Sequence, residues 1–264
     1  MTEAMEFSTL CSAFAKHLSL NGLRRMPPIW REARMFRELS TLRRDPVFEG
    51  AGLPAGRGRP LFLIPGYMAG DASLVPMARA FKRAGWVPAH AGLRLNIGCA
   101  SRMVAPLEAK LAAHVSATGQ SAVIVGQSRG GSLGRLLAAR RPDLVRALIT
   151  LGSPHIDPLS VHPFVLANLA CVGCLGTAGF PGLLSIACMR KAGCCAGVRR
   201  EAGTKLSGEM PFLSIYSRSD GIVDYRACWD PDARHMEIDS SHCGMSMNAN
   251  VLRAIGDELS SLSG

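Results

Sequence analysis

A chain of 264 residues, 48% of them apolar and 19% charged, can bury one substantial core; this excludes a disordered protein and fits a single large α/β domain. Thirty Lys and Arg against twenty Asp and Glu give a net charge of +10, a balance that favours anionic surfaces without naming one. The opening MTEAMEFSTLCSAFAKHLSL places Glu3 and Glu6 before any basic residue and lacks an uninterrupted apolar core with a cleavage site, so a cytoplasmic setting is expected.

Residues 1–58 read as a basic helical extension: two helices, near 6–18 and 29–42, then the turn-rich GAGLPAGRGRP. Arg24, Arg25, Arg31, Arg34, Arg37, Arg43 and Arg44 interleave with Trp30, Met35, Phe36 and Leu39 at helical spacing. An amphipathic helix packed on the domain as a decoration is expected, with a peripheral membrane contact as the alternative. Nine cysteines, an odd number in a chain too long to need disulfide staples, suggest a reducing compartment and mostly buried, inert thiols. Cys171-Val-Gly-Cys174 followed by Cys194-Cys195 lacks the paired spacing and polar loops of a structural zinc site, so neither metal nor organic cofactor is expected.

From residue 59 onward, short apolar runs alternate with helical stretches. LFLIP, VPAHA, AVIVG, ALITL and FLSIY read as buried strands, HMEI as a weaker one, and 74–83, 101–117 and 129–140 as helices. The alternation implies an α/β fold with a mainly parallel central sheet covered by helices on both faces. About sixty residues separate ALITL from FLSIY where one crossover helix would suffice, so 156–209 is read as an insertion. Its stretch 161–189 contains no Asp, Glu, Lys or Arg but is cut by Pro163, Gly173, Gly176, Gly179, Pro181 and Gly182, which favours an apolar cap, acting as a lid, over a membrane span.

The sharpest signal is SAVIVGQSRGGSLGRLLAAR, in which an apolar strand runs into Gly126-Gln127-Ser128-Arg129-Gly130 and then into a helix. That context is a nucleophile elbow: the glycines permit a strained reversal that lifts the Ser128 hydroxyl above the sheet, and the Arg129 amide opens the helix facing a developing oxyanion. A serine needs a base, and the base an orienting acid. Asp220 follows the FLSIY strand and His242 precedes the last helix, giving the order Ser, Asp, His; Asp224, four residues on, is the rival acid, and His155 falls on the wrong loop for the base. The second oxyanion amide is expected from LFLIPGYMAGD, where Gly66 frees the N–H of Tyr67 or of Met68.

These segments together resemble the α/β-hydrolase superfamily, and within it a bacterial lipase and esterase-like branch. Pro65-Gly66-Tyr67, Ser128-Arg129-Gly130-Gly131, Gly152-Ser153-Pro154, Ser219-Asp220-Gly221 and Ser241-His242-Cys243-Gly244 carry the resemblance over about 60–260. Two departures stand out: the oxyanion loop lacks a His-Gly pair, and Gln127 occupies a position often filled by His or an aromatic. Asn96 resembles a polar residue near the pocket and is a candidate substrate contact. The resemblance implies hydrolysis of small-molecule or lipid esters through an acyl-enzyme on Ser128. The alternatives are acyl transfer on the same triad, or a catalytically silent protein that binds a membrane surface; no nucleic-acid partner is implied.

Overall fold

The computed structural model describes residues 26–262 apart from 191, 207 and 209; the helix expected near 6–18 lies outside the described residues. All six apolar runs are strands: β1 (Pro60–Ile64), β2 (Val87–His90), β3 (Ala122–Gln127), β4 (Val145–Leu151), β5 (Phe212–Tyr216) and β6 (Arg234–Glu237). They pair in parallel throughout, in the order β2-β1-β3-β4-β5-β6. The helices are α1 (Arg34–Arg44), α2 (Val75–Arg83), α3 (Ala100–Thr118), α4 (Arg129–Arg140), α5 (Pro163–Thr177), α6 (Ile186–Met189), α7 (Ala196–Ala202) and α8 (Ala249–Ser261); parallel neighbours require crossovers, which α2 to α7 supply as far as β5, while a 3₁₀ turn, Tyr225–Cys228, lies between β5 and β6.

Because successive strand side chains alternate between faces, each central strand feeds two cores. Leu61, Leu63, Val123, Val125, Ile149 and Leu213 point to the layer holding Phe81 of α2 and Val251 and Ile255 of α8. Phe62, Ile64, Ile124 and Leu148 point to the opposite layer, with Leu107 and Leu111 of α3 and Leu133 and Leu137 of α4. The ends of β3, β4 and β5 thereby lie side by side at the carboxyl edge, where open α/β sheets present reactive groups.

Residues 29–44 are more than a decoration. Leu42 is fully buried in the α2/α8 layer, and Arg34 pairs with Asp239 at 2.9 Å. The apolar residues expected to face the domain do not all do so: Trp30 is 75% and Phe36 67% exposed, whereas Glu32 is buried. The reason is that Glu32 has backbone amides to satisfy, which outweighs burial of an aromatic on this short stretch.

Between β4 and β5, the segment 156–209 contributes Val172, Leu184, Cys188, Val198 and Leu206 to the α3/α4 layer. Its longest helix, α5, has 15 residues, about 22 Å at 1.5 Å per residue, and among the described residues no helix is long and apolar enough to cross a membrane. The eight described cysteines are free thiols; Cys171, Cys174 and Cys194 are exposed, so burial is less general than their chemistry suggests.

If α1 is part of the folded unit, Leu42→Ala should cost about 2–5 kcal/mol in denaturant unfolding, while Phe36→Ala should stay within about 0.5 kcal/mol. Equal effects would mean that α1 is an appendage.

Candidate active site

Ser128 occupies the turn between β3 and α4 with a φ of +52° and a ψ of −126°, a conformation that costs a non-glycine residue about 1–3 kcal/mol and persists only when the surroundings impose it. The imposition is visible on both sides. The Ser128 amide donates to the Leu151 carbonyl at the end of β4, 2.7 Å away. A Cβ on Gly126 would lie 2.5 Å from the Gly130 carbonyl oxygen, and one on Gly130 would lie 2.1 Å from that of Ile64, so the reversal closes only because both are glycine. Arg129 opens α4, and its N–H is one of those a helix leaves without an intrahelical partner.

Asp220 and His242 meet beside this turn. The His242 Nδ1–H donates to Asp220 Oδ2 at 2.6 Å, in a buried setting. The other carboxylate oxygen, Oδ1, accepts from the amides of Ile222 (2.8 Å) and Val223 (2.7 Å), which fixes the plane of the acid. Asp224 is engaged otherwise: it caps the 3₁₀ turn Tyr225–Cys228 by accepting from the Arg226 amide at 3.1 Å. Gly152, at the end of β4 with a φ of +56°, lies beneath the pair; a Cβ there would fall 3.0 Å from His242 Nδ1 and 3.1 Å from Asp220 Oδ2.

Gln127 links the elbow to the histidine. Its Nε2 donates to the His242 carbonyl at 2.7 Å, which gives the glutamine at this position a physical role. Thus a residue adjacent to Ser128 in sequence holds the main chain of His242, while Leu151 and Gly152 brace the serine and the imidazole from β4. Among the described residues no hydrogen bond joins Ser128 Oγ to the imidazole; the ring's described bond is the one to Asp220.

Two acids from the N-terminal segment complete the scaffold, and the sequence reading did not single them out. Glu32 accepts from the amides of Gly221 (2.9 Å), His242 (3.1 Å) and Cys243 (2.8 Å), so one carboxylate ties the loop of Asp220 to the loop of His242. Glu38 accepts from the Ser241 amide at 2.9 Å and the Ser240 hydroxyl at 3.0 Å. The available signal was two acids at positions 32 and 38 within a strongly basic stretch. Burial pulls the imidazole's pKa down, but the charge and hydrogen bond of Asp220, with the charge of Glu32 behind them, outweigh it and leave His242 above the ordinary histidine range.

The remaining candidates divide by role. Tyr67 forms an isolated parallel bridge with Asn96, and its hydroxyl donates to Asn168 Oδ1 of α5 at 2.9 Å, linking the loop after β1 to the segment between β4 and β5. Met68, the alternative amide, has a φ of +58°. Asn96 is fully buried, with its Nδ2 donating to the Pro65 carbonyl at 2.8 Å, so in this structure it braces the loop after β1. His155 packs edge-on against Phe212 and bonds Thr150 Oγ1 at 3.1 Å; burial, opposed by nearby Asp230, lowers its pKa to about 4 and keeps it neutral.

A family model described as the alpha/beta hydrolase fold matches residues 99–170, the span holding β3, the elbow, α4 and β4. No curated protein matches the sequence significantly. Among solved structures, a Bacillus licheniformis lipase in its mature form aligns with a TM-score of 0.56 and 15% identity, over 78% of this chain and 93% of that one. A metagenomic carboxyl esterase aligns with a TM-score of 0.56 and 14% identity, over 78% and 76%. A Paleococcus ferrophilus monoacylglycerol lipase aligns with a TM-score of 0.53 and 16% identity, over 79% and 96%. At these identities the likeness is one of fold.

Glu32→Gln keeps an acceptor for the loop amides but removes a charge that favours the imidazolium. Its His242 ring resonances, followed by NMR, should titrate at a lower pH than in the parent protein. An unchanged midpoint would restrict Glu32 to a structural role.

Proposed function

We propose that this chain is a serine hydrolase of the α/β-hydrolase superfamily that cleaves carboxylic esters through an acyl-enzyme on Ser128. The observation that carries the reading is the conjunction of a strained serine on the β3–α4 turn with a buried, 2.6 Å Asp220–His242 hydrogen bond one loop away. Either feature alone has structural explanations. Together they match what acyl transfer needs.

In this reading, Ser128 Oγ attacks the ester carbonyl while His242 Nε2 takes its proton, and Asp220 stabilises the imidazolium that forms. The Nδ1–H committed to Asp220 leaves Nε2 as the basic nitrogen of neutral His242. The amides of Arg129 and Tyr67 are the proposed oxyanion donors, the first by virtue of its helix-opening position. The imidazolium then protonates the departing alcohol, and in the second half a water, deprotonated by His242, releases the acid and restores the serine. An acceptor alcohol in place of that water would make the same residues an acyltransferase. No feature of the site favours that outcome over hydrolysis.

The insertion supports a preference for apolar acyl groups, and we include it as a lid. Tyr67 binds Asn168 of α5, so the insertion meets the proposed oxyanion loop directly, while Phe164 is 68% and Phe180 58% exposed on an uncharged stretch. Exposed Trp30 and Phe36 on the basic helix favour a peripheral contact with anionic lipid on the same grounds.

Ser128→Ala should lower turnover of p-nitrophenyl esters by about 10³-fold or more with unchanged circular dichroism. Asp220→Asn should cost about 10³- to 10⁴-fold, against a few-fold for Asp224→Asn, which retains a capping side chain. The reverse ranking would reassign the acid, and a fully active Ser128→Ala would end the mechanism.

The acyl preference is separately measurable. Each buried methylene contributes about 0.8 kcal/mol at most, so two or three should favour octanoate over butyrate esters by roughly ten- to a hundredfold in kcat/KM. Turnover should also rise on anionic vesicles. A preference for butyrate with indifference to vesicles would remove the lid and leave the triad.

A further inference from the structure

Four thiols converge where the insertion meets the loop before α3. Cys99 N-caps α3, Cys188 lies in α6, and Cys194 and Cys195 precede α7, so residues far apart in sequence supply one cluster. Their sulfurs all lie within 4.8 Å of one another. Cys99 to Cys195 is 3.5 Å, Cys99 to Cys194 3.6 Å, Cys188 to Cys194 3.4 Å and Cys194 to Cys195 3.9 Å. Cys171 and Cys174, the pair whose spacing first raises the idea of zinc, are not members.

We propose that Cys99, Cys188, Cys194 and Cys195 form a structural tetrathiolate site for a single zinc ion. Four sulfurs at about 2.3 Å from one ion at tetrahedral angles lie about 3.8 Å apart, within the range of the separations found, which run from 3.4 Å to no more than 4.8 Å. Disulfides would instead bring sulfurs together in twos, at about 2.05 Å, and would not require all four to share a centre. Sulfurs bound to a multi-iron cluster stand farther apart than these, because the inorganic core lies between them. A mononuclear, soft, tetrahedral site of this kind suits zinc.

The surroundings support a charged centre. The Ser185 amide donates to Cys188 Sγ at 3.3 Å, and the Ser101 hydroxyl lies 3.1 Å from Cys99 Sγ, contacts of the kind that orient and stabilise thiolate ligands. Beside the cluster, Arg129 turns its guanidinium inward onto the carbonyls of Asn96 and Gly98 and, among the described residues, has no carboxylate partner. Four thiolates around one divalent ion carry a net charge of −2, which supplies the counter-charge that this cation otherwise lacks. Binding transfers four thiol protons to solvent as the four Zn–S bonds form, with no change of oxidation state.

The consequence for the fold is a staple. The Leu184 amide already bonds the Ile97 carbonyl at 2.8 Å, and the metal would lock the 183–203 arm onto the loop that Arg129 grips from the elbow. Cys194 is exposed, so the ion has a route in.

The test is metal analysis of the full chain, purified under reducing conditions without chelator. About one zinc per chain is expected. Replacement by Co²⁺ should give thiolate-to-metal charge transfer and the intense visible bands of tetrahedral cobalt. Cys99→Ser and Cys195→Ser should lose the metal, while Cys171→Ser and Cys174→Ser keep it; if the first two fail to fold, the parent protein's zinc content and cobalt spectrum decide. Folded parent protein with less than about a tenth of an equivalent of metal and no cobalt spectrum would overturn the site. So would a disulfide between any two of the four cysteines found by mass spectrometry.

Discussion

The hydrogen bond between His242 and Asp220 is the contact around which the rest of this molecule is organised. At 2.6 Å and out of solvent, it sets a histidine whose burial alone would lower its pKa against a carboxylate that raises it. Burying such a pair is costly unless the polar groups around it are paired, and the second oxygen of Asp220 and the main chain of His242 are. Two amides hold the second oxygen of Asp220, and the main chain of His242 is held by Glu32 and Gln127. Gly152 is small because the pair lies against its Cα.

The N-terminal segment belongs to this arrangement. Its basic surface suggested a covering helix, yet Glu32 and Glu38 reach inward to the loops that carry the acid and the base. One face of a short segment therefore carries arginines and exposed aromatics, and the other carries acids satisfied by backbone amides. The charge of Glu32 adds to that of Asp220 in favouring the imidazolium, so a scaffold residue also acts on the His242 ring.

What the sequence made legible was local. Short continuous apolar runs and helical spacing located all six strands and the helices over 75–83, 100–118 and 129–140, because a sheet covered on both faces buries successive strand residues alike. The turn at Ser128 was legible because its glycines are close to the serine in sequence, and Asp220 was preferred to Asp224 from its place on the loop after a strand. What was not legible depends on distant partners. Glu32 lies 210 residues from His242, and Cys99 lies 95 from Cys194, separations at which spacing carries no signal. The helix face around Trp30 and Phe36 was misread for the same reason: amphipathic periodicity indicates that a face is buried, and the loop amides decided which one.

The central claim is that Ser128 is made nucleophilic by the His242–Asp220 pair, and a fluorophosphonate probe tests it most directly. Phosphonylation located by peptide mass spectrometry should fall on Ser128 alone, and its rate should decline as pH drops through a midpoint above the ordinary histidine range, since protonated His242 cannot accept the serine proton. Folded protein that remains unlabelled across that range, or labelling at another residue, would contradict the account.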